Sequence, residues 1–486
     1  MKKLTIFLII ITLLLNLKAQ EYELFDENGN VKEEFLDLDG ILDEQYLPYT
    51  KEYDDFAKAM EHQNQVFIIN LSKKNLNDFP SEVYLFPNLQ VLELNDNNIK
   101  SLPIDLAKIG NLRYLSLSGN LIEQLHEEIG SNGKLVLLNF EENKLKSLPK
   151  SIGTLTRLMD LQVGGNLLTE FPTEITNCKM LLNLNAWGNK ISSLPENFGN
   201  MEYLQNIDLS KNKLKDLPPS FKKISMMMIL NLSSNEFEVF PSVLCEIKRL
   251  PYIDLSKNRI TELPSKIYKI QNLQYLNLSY NKLSKLPKTL NKLPMFKQIK
   301  LAGNEFTEFP KVLLTIKSLA VIDISKNQIK EIPKEIGEMY SLSDIILANN
   351  FISELPNEFY QLENLGKMDL SFNQIEELSE EIGNFIALEE LNLKHNNITV
   401  LPQSIENLKF LKILNVSDNK INFDNIDFSK MTKLKVINIS NNNLDHIPSS
   451  IEKCENLEQL IIIGNNINQQ EINNFKEKRP EVELVF

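Results

Sequence analysis

The residues able to do chemistry in this chain are few and scattered. Its four histidines, His62, His126, His395 and His446, have no ligand-type neighbour three or four residues further along, and Cys178, Cys245 and Cys454 form no Cys-x-x-Cys pair. Zinc sites are built from such clusters, so no metal is expected. Asp26-x-Asn28-x-Asn30 has the start of a calcium loop, but Val31 stands where that loop requires Gly, and a hairpin turn at Asn28-Gly29 accounts for the same residues. No phosphate-cradling Gly-rich loop, dinucleotide fingerprint or Gly-x-Ser-x-Gly elbow occurs. The adjacent acids Glu141-Glu142 and Glu389-Glu390 fit a solvated strand face. Catalysis needs nucleophile, base and charge-stabilising donors to converge; the sequence predicts no catalytic residue and no cofactor. What it offers instead is aromatic side chains at regular intervals. Tyr252 and Tyr275 stand 23 residues apart, with Tyr280 close behind and Trp187, the only Trp, upstream.

That interval is the period of the whole chain. Counting Leu89 as slot 1, slot 9 is Asn97, Asn120, Asn143, Asn166, Asn189, Asn212, Asn235, Asn258, Asn281, Asn304, Asn327, Asn350, Asn373, Asn396, Asn419, Asn442 and Asn465, without insertion or deletion. One step earlier stands Lys74, in a divergent first repeat. Of the 20 Pro, 14 fall at slot 15. Slots 3 to 7 alternate, as in Val91-Leu92-Glu93-Leu94-Asn95, the pattern of a half-buried strand. One such strand cannot bury its own apolar face, so stacked copies must share a core built from slots 1, 4, 6, 11, 14, 18 and 21. An Asn at slot 9, where the chain leaves the sheet, can satisfy backbone groups of its own and the next turn. Pro at slot 15 suits the first position of a short helical or 3-10 turn, where its missing N–H costs nothing.

The register, written Leu-x-x-Leu-x-Leu-x-x-Asn-x-Ile-x-x-Leu-Pro, resembles the leucine-rich repeat family in its 23-residue Leu-Pro form, of exported bacterial type. The resemblance runs from residue 66 to about 479. It implies an α/β fold, a leucine-rich repeat solenoid or horseshoe, with a parallel β-sheet on the concave face and short helical or 3-10 turns on the convex face. It also implies protein binding rather than catalysis. The expected organisation is a signal peptide over 1–19, an acidic leader and helical cap over 20–65, eighteen repeats over 66–467, and a C-terminal cap over 468–486. In the first cap Thr50 is expected to start a helix reaching about Gln63. In the last, a helix from Gln469 to Lys478 is expected before an alternating edge strand.

Slots 3, 5, 7 and 8 are expected to face the concave side. Most carry bland residues, Ser256 among them, expected on a solvated face. The departures are Trp187, Tyr252, Tyr275, Tyr280, Ile346 and Phe372, with Phe351 on the same rim. Aromatics dominate the energetics of protein interfaces, so these residues form the candidate partner-binding face, a span of about 38 Å at the ~4.8 Å strand spacing. Asp208, Asp254, Asp323 and Asp369 interleave there with Lys211, Lys257, Lys300 and Lys326, a mixture suited to a protein or peptide rather than a polyanion.

The chain has 486 residues, 42% hydrophobic and 24% charged, with a net charge of −13. Nucleic acid is not an expected partner, since phosphate demands a basic face. Ten acids in residues 21–49 face Lys32 alone. Lys2-Lys3, the apolar run from Leu4 to Leu15 and Ala19 have the parts of a secretory signal, and the run is shorter than the ~20 residues a membrane span needs. A secreted, periplasmic or cell-surface location follows, with surface association but no membrane insertion of the mature chain. Competing readings are a structural or adhesive surface component, a carbohydrate binder, and an intracellular signalling scaffold if the N-terminus is not a signal. N-terminal sequencing of the exported protein is expected to begin near Gln20 or Glu21; intact Met1 in soluble cytoplasm contradicts it.

Overall fold

The computed structural model describes residues 24–26 and 30–486. The expected signal peptide and the Asn28-Gly29 turn lie outside them. The chain divides into two compact units, Met1–Met227 and Met228–Phe486. In the first, β1 (Glu52–Tyr53) pairs with β2 (Ile68–Asn70), and one three-residue strand per repeat follows to β8 (Asn206–Asp208), neighbours running parallel. The second runs likewise from β9 (Ile229–Asn231) to β20 (Glu483–Val485). Registers join like slots: Tyr252 lies opposite Tyr275, Ile253 opposite Leu276. Most repeats return through a five-residue 3-10 turn, such as Ser265–Lys269. This is a leucine-rich repeat solenoid fold.

The core is the stack of slots 1, 4, 6, 11, 14, 18 and 21. The Leu255–Ile260–Leu263–Ile267–Ile270 set shows the pattern within one repeat, every member buried. Pro does not open the turn as expected; it stands one residue ahead. Pro264 is extended, with φ −70° and ψ 144°, and its carbonyl accepts the Ile267 N–H at 3.1 Å. Fixed φ thus presets the approach, and the carbonyl, not the missing N–H, makes the turn's first bond.

Within each unit, slot 9 fastens a repeat to the preceding one, rather than to the next. The Asn258 amide donates to Leu232 O at 3.0 Å in the preceding repeat and to Leu255 O at 3.0 Å in its own. Its Oδ1 accepts the Phe237 N–H at 3.1 Å. The same set recurs at Asn143, Asn189, Asn327 and Asn396. All the ladder asparagines are buried except Asn465, in the last repeat, which is half-buried. Lys74 replaces Asn where no earlier repeat exists to receive an amide, and pairs instead with Asp54 at 3.3 Å.

The ends are closed by short elements. Asp55, not Thr50, caps the first helix, α1 (Phe56–Met60), accepting from Ala57 and Lys58 N–H; Thr50 instead ends a 3-10 turn. At the other end, Asn468 caps α2 (Gln469–Lys478), which buries Ile472 and Phe475, and β20 adds to the sheet edge. No helix among the described residues is long and apolar enough to cross a membrane.

Ser256 is not on a solvated face. It is 8% exposed, and its N–H donates to Asp254 Oδ1 at 2.8 Å. The comparison residue for the ladder is therefore exposed Lys257. In chemical denaturation Asn258→Ala should cost ~1–3 kcal/mol, from groups left unsatisfied at its bonded partners, while Lys257→Ala stays within about 0.5 kcal/mol. Equal effects would mean that the buried amide contributes nothing beyond its volume.

Candidate functional site

The sheet face is built by backbone constraints before side chains enter. In each repeat the slot 8 residue, from Lys73 to Gly464, is left-handed, with φ between 52° and 70°. Gly accepts that conformation without cost, whereas a bulky residue is strained there. Slot 7 turns back toward the sheet, and Ser there is held by slot 5: Ser210, Ser325 and Ser371 hydroxyls donate to Asp208, Asp323 and Asp369 at 2.6–2.7 Å. The slot 5 aspartates are thus partly spent on internal bonds. Slots 3 and 8 remain as the reaching positions.

In the second unit those positions carry the aromatics. The Tyr252 and Tyr275 rings stack at 4.2 Å, 3° from parallel, and Lys300 Nζ stands 5.8 Å from the Tyr275 ring. Burial, then a hydrogen bond with Tyr252, raises the Tyr275 phenol above its usual range. Tyr280 is left-handed and 44% exposed. Its ring lies over Gly303, where a Cβ would stand 2.7 Å from Cδ1, and Lys326 Nζ donates to its hydroxyl at 3.0 Å. Ile346 is half-buried between Asp323 and Asp369 on the neighbouring strands. Phe372, also left-handed and 38% exposed, stacks on His395 at 4.8 Å with Lys394 Nζ 5.7 Å from its ring. Lys394 in turn pairs with Asp418 at 3.3 Å. Lys367, Asp369, Glu390, Asn392, Ile413 and Asn415 line a hollow on this face, Lys367 ion-paired to Glu390. Phe351 is exposed at slot 10, beside this face.

Trp187 belongs to the first unit and is less available than its uniqueness suggests. Its indole lies over Gly164, where a Cβ would meet the ring at 2.3 Å, and Nε1 donates to Glu141 Oε1 at 2.9 Å. Asn185 donates to the same oxygen at 2.6 Å, and Lys211 Nζ stands 5.1 Å from the ring. Trp187 is half-buried; it orders the surface as much as it offers contact area.

The groups able to do chemistry do not converge. All three cysteines are buried, and burial pushes the Cys178 thiol up to about 12 and those of Cys245 and Cys454 to about 11. His446 bridges Asp445 and Asp424, which raise its pKa, with no nucleophile beside it. No group of three metal-ligating side chains occurs among the described residues. Glu389 and Glu390 lie on a solvated strand face, as expected, and are ion-paired there with Lys412 and Lys367.

Two features were missed by sequence reasoning. One is the left-handed slot 8, although Gly119, Gly165, Gly188, Gly303 and Gly464 all fall on it and Gly marks such positions. The other is the acidic leader, which packs against slot 3 of the first repeats, Ile68, Val91 and Tyr114. Its single composition signal is acidity; the contact depends on tertiary placement.

Residues 69–190 match the leucine-rich repeat region family. Residues 202–260, 248–306, 317–375, 364–421 and 411–467 match the leucine rich repeat family. No curated protein matches in sequence. Among solved structures, a leucine-rich repeat protein of Leptospira interrogans is 31% identical, with 90% of this chain and 100% of that chain covered and a TM-score of 0.68. The ectodomain of the Arabidopsis thaliana receptor kinase GASSHO1/SCHENGEN3, in complex with CASPARIAN STRIP INTEGRITY FACTOR 2, is 27% identical, covering 84% of this chain and 54% of that one, with a TM-score of 0.57. An internalin of Listeria monocytogenes shares the fold at 22% identity, covering 61% of this chain and 84% of that one, with a TM-score of 0.54.

Proposed function

This chain belongs to the leucine-rich repeat family, and from that premise we propose that it is an exported, non-enzymatic recognition protein that binds another protein or peptide on its sheet face. The observation that carries the reading is the pair of slot 8 aromatics. Tyr280 and Phe372 hold a left-handed backbone that Gly would take without strain, and they expose their rings there. Such strain is tolerated where the side chain does something the fold does not need. Each ring is flanked by a lysine, so the face combines apolar area with charge that fixes register. The complex of the 27%-identical plant ectodomain supports a proteinaceous ligand. The signal-like Lys2 to Ala19 segment supports export.

In a binding assay with a recovered partner, Tyr280→Ala or Phe372→Ala should weaken affinity by at least ~1 kcal/mol, about fivefold, with the denaturation midpoint unchanged. Lys266→Ala and Lys334→Ala, exposed on the 3-10 side, should leave affinity as it was. Loss on the latter pair alone contradicts the reading. Concentration-dependent self-association without a partner would point to the structural or adhesive role, and binding to glycans alone to a carbohydrate ligand.

A further inference from the structure

The leader is attached to the repeats in an unusual way. Its backbone hydrogen bonds, such as Asp37 N to Ile41 O at 2.8 Å and Asp43 N to Phe35 O at 2.9 Å, all close within residues 24–50 among those described. It holds the first unit through side chains. Leu42 and Leu47 bury with Phe67, and Phe35 and Tyr46 pack against that cluster with Ile68, Val91 and Tyr114. These last three are slot 3 residues, so the leader occupies the sheet face of the first three repeats. Tyr114 donates to Glu44 at 2.6 Å and the Gln90 amide to Leu42 O at 3.0 Å.

The charges are as selective as the apolar contacts. Arg113 and Arg157 are the only arginines before residue 228, and both are spent on the leader: Arg113 pairs with Asp37 and Arg157 with Asp39, the second nitrogen of Arg157 at 3.1 Å. The planar guanidinium suits two-point recognition of carboxylates in a way Lys does not. Asp37 is itself locked in a turn, accepting N–H bonds from Asp39 at 2.8 Å and Ile41 at 3.2 Å. The Arg113 side chain is 9% exposed and regains water if the leader leaves, so departure strands no charge. Departure does bare Ile68, Val91 and Phe67, which favours exchange of one occupant for another over an empty face.

We propose that this face, from Phe67 to Arg157, is a binding site for an extended acidic protein segment with apolar anchors, filled in cis by residues 35–47, and that a partner bearing such a segment binds by displacing them. The inference is independent of the reading given to Tyr280 and Phe372, which lie in the other unit.

Two measurements test it. On the unmodified chain, amide hydrogen exchange in residues 35–47 should be at least tenfold faster than in Val91–Glu93 and Tyr114–Ser116, because the leader opens alone. In a full chain carrying a specific protease site after Thr50, the cut leader should stay bound in native buffer and leave in urea at a concentration that keeps the repeats folded, because a locally attached segment opens before the whole. A synthetic peptide of residues 30–50 should then rebind to the emptied protein, and its Asp37→Asn, Asp39→Asn form at least tenfold more weakly. Equal exchange rates, failure of the native peptide to rebind, or rebinding indifferent to the two aspartates would each overturn the proposal, the first by making the leader an inseparable part of the fold.

Discussion

Everything in this molecule depends on one carboxamide repeated at a fixed interval. The slot 9 side chain donates into its own turn and into the preceding repeat, and accepts from the slot 11 N–H of that repeat, as Asn258 does with Leu255, Leu232 and Phe237. No other uncharged side chain of that length supplies two donors and an acceptor. The partners sit where the chain leaves the sheet and no strand neighbour can serve them. A residue inserted between slot 6 and slot 11 would break the bracket, which fixes the spacing of that part of every repeat.

The same bracket shapes the surface. For the slot 9 amide to turn inward, the residue before it takes a left-handed conformation in every repeat. Gly is the low-cost solution, and the chain uses it at Gly119, Gly165, Gly188, Gly303 and Gly464. Where Tyr280 or Phe372 stands instead, a ring is projected from a strained position and steadied by neighbours: Gly303 makes room for Tyr280, and His395 stacks on Phe372. The structural ladder and the candidate recognition surface are therefore adjacent slots of one turn.

The repeat fold was legible because a period of 23 repeated seventeen times admits one architecture, and because strand alternation and slot-wise burial follow from it. The surface was legible only in part. Slot 7 reads as outward by alternation, yet Ser210, Ser256, Ser325 and Ser371 are buried, since the left-handed step at slot 8 rotates the chain and slot 5 carboxylates capture these Ser groups. Trp187 reads as an exposed anchor, but Gly164 and Glu141 draw it down onto the sheet. The leader reads as a charged tail, because nothing local in Asp37-Leu38-Asp39 says that Arg113 and Arg157, far along the chain, will receive it.

The central claim is that the slot 9 amides are closed inside the structure as hydrogen-bonded brackets. Hydrogen exchange of the asparagine side-chain NH2 protons, followed by NMR on the native protein, tests this directly. The account predicts that the interior ladder, Asn258 and Asn327 among it, keeps these protons as long as the strand amides of the same repeats. Exchange at the rate of a solvent-exposed asparagine would contradict it.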